Sequence, residues 1–208
     1  MKRETAPRKK APRRAKTGGS SRKISSAAAL RAVRRATKTA GTSTRVESRP
    51  AVLAWQPTPE AKKVIDTCQD VFDNTSGAKS DCNKFVKAAC SKLSINPFAA
   101  GDDADAITKN IRDATWRTAN GWSGLDQDPK KAKAAADAGD LVIGGATGSD
   151  LGQTHGHVVV VVSSEKLWKD YPYGSWGTLG GTGQTNAKLT LAYKLSDLPN
   201  VSYMSKKI

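Results

Sequence analysis

The sequence predicts an α+β domain in which N-terminal helices pack on an antiparallel sheet, preceded by a disordered basic tail. Apolar residues recur at three- and four-residue steps in the first part of residues 51–208, which is typical of amphipathic helices. Five consecutive valines follow later, at 158–162, and such a run favours a buried central strand. Helices that precede strands along the chain indicate the α+β class.

The basic residues are concentrated in residues 1–50, which hold 16 of the 34 lysines and arginines against two acidic residues. This segment therefore carries +14 of the net charge of +15, and residues 51–208 are nearly neutral. It has too few large apolar side chains to offset its ordering entropy, so we expect disorder. Four interpretations of its role stay open: no specific partner, docking to a secretion apparatus, an organelle transit peptide, or non-specific attraction to nucleic-acid phosphates.

The period of the apolar residues places the helices and strands of the domain. Helices are predicted at 60–73, from near Asp81 to the residues before Pro97, at 103–116 and at 130–138. Strands are predicted at 140–143, 158–163, 189–195 and 201–204, with loops at 118–129, 144–156 and 165–187.

Of the three cysteines, Cys82 is the one placed to react. It occupies the first turn of a predicted helix, within KSDCNKF, where unpaired backbone N–H groups and the helix dipole favour a thiolate. Cys68 and Cys90 lie well inside helices and are typical of small buried hydrophobes. Whether those two pair with one another stays open, since the sequence does not supply their distance.

The chain holds two histidines, His155 and His157, within THGHVVVVV. His157 adjoins the rigid valine run and is the better candidate for a base within reach of a nucleophile. His155 is followed by Gly156 and is interpreted as part of the loop. A cysteine at a helix start and a histidine at a strand start are each common, so spacing alone does not pair Cys82 with His157.

No metal or cofactor site is predicted, because no CxxC pair or zinc-like His/Cys spacing occurs. No apolar run approaches the roughly 20 residues that span a bilayer, so membrane insertion is not predicted. Residues 26–33 are too short and too interrupted by Arg31 for a signal-peptide core. Export would therefore need another route.

Four motifs in order resemble those of the NlpC/P60 group of papain-like peptidases. They are SDCNKFVKAACSKL, GDLVIGGATG, THGHVVVVVS and DYPYGSWGTLGGTG. Together they look like the small family-1 amidases delivered by bacterial type VI secretion, over about residues 60–195. The resemblance implies a papain-like fold in which Cys82 attacks the γ-D-glutamyl–diaminopimelate amide of peptidoglycan stem peptides. His157 would shuttle the proton, and backbone N–H groups near Cys82 would hold the oxyanion.

The resemblance also implies a role. The protein would be an antibacterial toxin made in the bacterial cytoplasm, secreted, and active in the periplasm of a target cell. A cognate immunity protein would protect the producing cells. Two other functions stay open: a nucleic-acid-binding protein that uses the tail, and a papain-like hydrolase of another amide, such as a protein.

One position departs from the family pattern. Papain-like enzymes usually orient their histidine with a third polar group, and the related loop supplies cysteines where this chain has Gly174 and Trp176. Neither side chain accepts a hydrogen bond from imidazole. Asp170, Ser175 or a backbone carbonyl are the alternatives for this third position.

The aromatic segment after the valine run has two interpretations. Its residues would line a groove for an extended polar peptide, or its aromatic rings would cap the sheet. The candidate substrate contacts are Tyr171, Tyr173, Gly174, Ser175 and Trp176.

Overall fold

The computed structural model describes residues 55–208. The predicted disorder of residues 1–50 and the domain boundary at residue 51 lie outside the described residues and stay predictions. The helices of the described part are α1 (Pro59–Asn74), α2 (Cys82–Lys92), α3 (Ala104–Arg112), α4 (Ala114–Ala119), α5 (Pro129–Asp137) and α6 (Gly148–Leu151). Its strands are β1 (Ser123–Asp126), β2 (Leu141–Ala146), β3 (His157–Val162), β4 (Tyr173–Trp176), β5 (Gln184–Lys188) and β6 (Ser202–Lys206).

The strands form one six-stranded sheet in the order β1-β6-β2-β3-β4-β5. Every neighbouring pair is antiparallel, which confirms the predicted α+β class with an antiparallel sheet. β3 lies inside the sheet, where Val158 pairs with Gly145 of β2 and Val160 pairs with Ser175 of β4.

Both faces of β3 are covered, which explains its unbroken run of valines. Val158, Val160 and Val162 pack in one apolar cluster with residues of α1, α2 and α3. Val159 and Val161 pack in the other cluster, with α5 and the segment that follows β5. Because side chains alternate across a strand, a strand with two covered faces needs apolar residues at every position.

The helices at 60–73 and from Asp81 are confirmed, and their capping residues fix their starts. Thr58 caps α1 and Asp81 caps α2, each through a side chain that accepts a backbone N–H of the first turn. The predicted helix at 103–116 is wrong as one element. Asp113 has an extended backbone, so it ends α3, and its carboxylate caps the separate helix α4.

Four further predicted segments differ from the structure. The loop at 144–156 contains the end of β2 and the short helix α6. The loop at 118–129 contains β1, and the loop at 165–187 contains β4 and β5. Residues 189–195 are not a strand but begin with a 3-10 turn. Leu189 and Tyr193 are buried while Leu191 is 66% exposed, and the Tyr193 N–H donates to the Leu189 carbonyl at 3.0 Å. The two buried residues are four apart, which is helical spacing and not strand alternation.

Candidate active site

Cys82 is the first residue of α2, and the local sequence holds it there firmly. The Asp81 carboxylate accepts the Lys84 N–H at 3.0 Å, which caps the helix. Phe85 and Val86, one turn later, are completely buried in the core. The nucleophile candidate therefore stands on a rigid helix start, with its side chain 5% exposed.

His157 is the first residue of β3, and the connection before it is anchored by α3. The Asp105 carboxylate accepts the N–H of Gly148 at 2.7 Å and the N–H of Gly156 at 3.3 Å. A Cβ at Gly156 would lie 2.7 Å from the Ala146 carbonyl oxygen and 2.9 Å from Asp105 Oδ1. Glycine is thus required for this close approach. The anchored connection fixes the position of the His157 backbone.

The fold brings Cys82 and His157 into the wall of one cavity of about 350 Å³. Thr178 and Leu179 form part of its rim. Their loop is anchored to the Lys79 carbonyl, which accepts the N–H of Thr178 at 3.0 Å and the N–H of Gly183 at 2.8 Å. The other lining residues are Leu151, Gln153, Thr154, His155, Gly156, Leu191, Ala192, Tyr193, Lys194 and Asp197.

Cys82 and His157 share the cavity without a hydrogen bond between their side chains. Within residues 55–208, the Cys82 thiol donates to Asn83 Oδ1 at 3.4 Å, and His157 Nε2 is buried with no partner. Catalytic hydrogen bonds are often long in a substrate-free enzyme and tighten when substrate binds. The arrangement therefore fits a thiol and imidazole that engage during the reaction.

The pKa of Cys82 contradicts the expected thiolate. Burial raises the pKa of this thiol above its ordinary value of 9.0, while the backbone N–H of Val158 lowers it and the Asp81 carboxylate raises it further. Desolvation thus outweighs the backbone donors at the helix start. Cys82 is a neutral thiol near pH 7.

His157 is also neutral near pH 7. Burial lowers the pKa of its imidazole from 6.5 to about 4, because desolvation penalises the charged ring. A neutral imidazole can accept the thiol proton, so the geometry supports general-base activation rather than a preformed ion pair.

Cys68 and Cys90 are free thiols in the structure and lie in the core, away from the cavity. Burial raises the pKa of each to about 12. They match the predicted buried hydrophobes, and Cys82 is the cysteine that lines the cavity.

Neither side chain considered for the third position reaches His157. Asp170 is exposed in a tight turn. Ser175 is completely buried in β4, and its hydroxyl accepts the Asn186 N–H at 3.1 Å. Within residues 55–208 neither side chain forms a hydrogen bond with the imidazole, and the third position stays open, with a backbone carbonyl as the remaining alternative.

The residue that contacts His157 instead is Tyr193, which sequence reasoning missed. Its hydroxyl donates to the His157 carbonyl at 2.9 Å, and its ring lies edge-on to the imidazole with centroids 5.2 Å apart. The four-residue spacing between Leu189 and Tyr193 is a helical signal, whereas the sequence predicts a strand over 189–195.

The predicted substrate contacts do not line the cavity of Cys82 and His157. Tyr173, Gly174, Ser175 and Trp176 form β4, where the last three are buried in the sheet. Tyr173 pairs with Val162, at the end of β3 opposite His157. Tyr171 is half-buried against the apolar cluster on the α5 face. The groove interpretation stays a prediction, and Tyr173 lines a separate cavity at the other end of β3.

No group of three His, Cys, Asp or Glu side chains is arranged to hold a metal ion within the described residues. In the same part of the chain, no helix is both long and apolar enough to cross a bilayer.

Comparison with known proteins relates the chain to a peptidoglycan amidase. The chain matches no established family profile. It is similar to the peptidoglycan amidase Tse1 of Pseudomonas aeruginosa, with 28% identity over 122 residues, which cover 57% of this chain and 70% of the relative. The chain is thus a distant relative of a peptidoglycan amidase, as the motif resemblance implied.

Proposed function

We propose that this protein is a cysteine amidase with a papain-like fold that hydrolyses the γ-D-glutamyl–diaminopimelate amide of peptidoglycan stem peptides. The observation that carries the proposal is one cavity that presents the thiol of a helix start and a half-buried, neutral imidazole. The similarity to a peptidoglycan amidase supports the substrate class.

The reaction uses Cys82 and His157 in two steps. His157 accepts the thiol proton as the sulfur attacks the amide carbonyl, and the resulting imidazolium gives that proton to the leaving amine. The first product departs and leaves a thioester on Cys82. His157 then takes a proton from water, the hydroxide attacks the thioester, and the returning proton restores the thiol.

Backbone donors around Cys82 stabilise the oxyanion of both tetrahedral intermediates. The N–H groups of Cys82, Asn83 and Val158 lie close to the sulfur and lower the pKa of the thiol. The Asp81 side chain caps the N–H of Lys84 instead, so the first two N–H groups of α2 stay available. Donors fixed before the reaction stabilise developing charge without reorganisation.

The remaining lining of the cavity suits a polar peptide that carries carboxylates. Gln153, Thr154 and Asp197 supply hydrogen-bonding groups, and Lys194 supplies a cation. Lys194 forms no ion pair with a described residue. It is therefore the candidate partner of a substrate carboxylate near the cleaved bond.

The proposed biological role is that of a secreted antibacterial toxin acting in the periplasm of a target cell. Leu179 and Leu191 stand on the cavity rim and are each 66% exposed. A polar substrate does not need these leucines, whereas an immunity protein that covers the cavity would bury them. Residues 1–50 are the proposed contact with the secretion apparatus.

Digestion of purified muropeptides, followed by mass spectrometry, tests the proposed reaction. We expect cleavage between D-glutamate and diaminopimelate by the wild-type protein and none by Cys82→Ala. Cleavage at another bond would contradict the substrate assignment. Hydrolysis of a protein substrate without muropeptide cleavage would favour the alternative papain-like hydrolase.

A further inference from the structure

Tyr193 holds His157 at two points. Its buried hydroxyl donates to the His157 carbonyl at 2.9 Å, which fixes the backbone at the start of β3. Its ring meets the imidazole edge-on, with an interplanar angle of 71°, and this geometry is favourable for aromatic pairs. Burial raises the pKa of Tyr193 well above 10.0, so the hydroxyl stays a proton donor.

These contacts replace the polar group that usually orients a catalytic histidine. The imidazole Nε2 is buried and has no partner among the described residues, so no carboxylate or amide restrains the ring at this nitrogen. We propose that Tyr193 is the positioning residue of His157, through its hydroxyl on the backbone and its ring against the imidazole. This inference rests on the proposed function, because it assumes that His157 is the base.

Within the described residues, no other charged or titratable group near His157 forms a hydrogen bond with its ring. Asp105, on α3, binds only backbone N–H groups of the preceding connection. The remaining groups in the cavity wall are Cys82 on α2, His155 before β3, and Lys194 and Asp197 after Tyr193. His155 and Lys194 are exposed, so solvent screens them.

Two substitutions separate the contributions of ring and hydroxyl. Tyr193→Leu removes both, and we expect kcat to fall about 100-fold because a small displacement of a catalytic group has that effect. KM should change little. Tyr193→Phe keeps the ring, and we expect kcat to fall about fivefold through the lost hydrogen bond.

Tyr203→Phe is the matched control. Tyr203 belongs to the same apolar cluster, is 1% exposed, and has a buried hydroxyl without a partner. Loss of the Tyr203 hydroxyl should leave kcat and the pH profile of kcat/KM unchanged.

A readout independent of activity distinguishes this inference from the proposed function. The chain has two histidines, so His155→Asn leaves one imidazole whose titration is followed by NMR in the Cys82→Ala background. We expect His157 to titrate near pH 4 in that protein and in its Tyr193→Phe variant, because both keep the covering ring. In Tyr193→Leu the titration should move toward 6.5 as water reaches the imidazole.

The outcomes are decisive in each case. A folded Tyr193→Leu protein with unchanged kcat and an unshifted His157 titration overturns the inference. If Tyr193→Leu does not fold, Tyr193→Phe decides, and an unchanged kcat in that variant overturns it. An active Cys82→Ala protein would instead overturn the proposed function.

Discussion

At the scale of single residues, Cys82 and His157 line one cavity as a neutral thiol and a neutral imidazole. The base must be unprotonated to accept the thiol proton, and burial lowers the pKa of His157 to about 4. We therefore expect kcat/KM to stay level down to about pH 5 and to fall as the pH drops through about 4. Initial rates of muropeptide cleavage across pH 3–9 measure this.

A fall of kcat/KM already near pH 6.5 would contradict that account, because it would indicate a solvated imidazole. The matched control is His155→Asn, which alters the exposed neighbouring histidine. In this variant kcat/KM should fall at the same pH as in the wild type.

The same residue links stability to pH. The unfolded chain protonates His157 near 6.5, whereas the folded state resists protonation until about pH 4. The folded state therefore loses stability as the pH falls from 6.5 to 4, by about 3 kcal/mol at 1.36 kcal/mol per pH unit. Denaturant unfolding of wild type and His157→Asn at both pH values isolates this contribution, and equal pH dependence of the two proteins would refute it.

At the scale of elements, the connection between β2 and β3 sets the position of the base. Gly156→Ala would push a Cβ against the Ala146 carbonyl and the Asp105 carboxylate, so the backbone before His157 must shift. We expect kcat to fall about 100-fold and stability to fall by about 1–3 kcal/mol. Steady-state kinetics and denaturant unfolding measure the two effects.

Gly101→Ala is the control for that substitution, since a Cβ at Gly101 meets no atom within 4 Å. If Gly156→Ala retained wild-type kcat, the connection would not be what positions His157.

The elements also show what the sequence could and could not predict. The helices α1 and α2 were predictable because burial of one helix face leaves a helical period. Strand β3 was predictable because burial of both faces leaves an unbroken apolar run. β4 was missed because four residues that include Gly174 carry little pattern, and its burial depends on pairing with a distant strand. Tyr193 was misplaced because the alternating leucines from Leu189 to Leu195 imitate a strand, although Leu191 faces solvent.

The site itself was predictable in part. Cys82 stood out because Asp81 marks a helix start, and His157 because a stiff valine run follows it. The ionisation of the pair was not predictable, since it depends on the depth of burial. The substrate-facing surface was not predictable either, because it is built from loops such as the one with Leu179.

At the scale of the whole molecule, the basic tail and the domain should separate by function. We expect a protein that lacks residues 1–50 to cleave muropeptides at the wild-type rate, because the cavity is built within the described residues. Any nucleic-acid binding should disappear with the +14 segment and should weaken steeply with salt in the full chain. Nucleic-acid binding by the full chain without any muropeptide cleavage would favour the nucleic-acid-binding alternative.

The most direct test of the central claim compares two cysteine variants in one muropeptide assay. Cys82→Ala removes the proposed nucleophile, and we expect at least an approximately 1,000-fold loss of kcat with an unchanged fold. Cys68→Ala removes a completely buried thiol outside the cavity, and we expect it to reduce stability while kcat stays near wild type. Wild-type cleavage by Cys82→Ala, or equal loss in both variants, would contradict the assignment of Cys82 as the nucleophile.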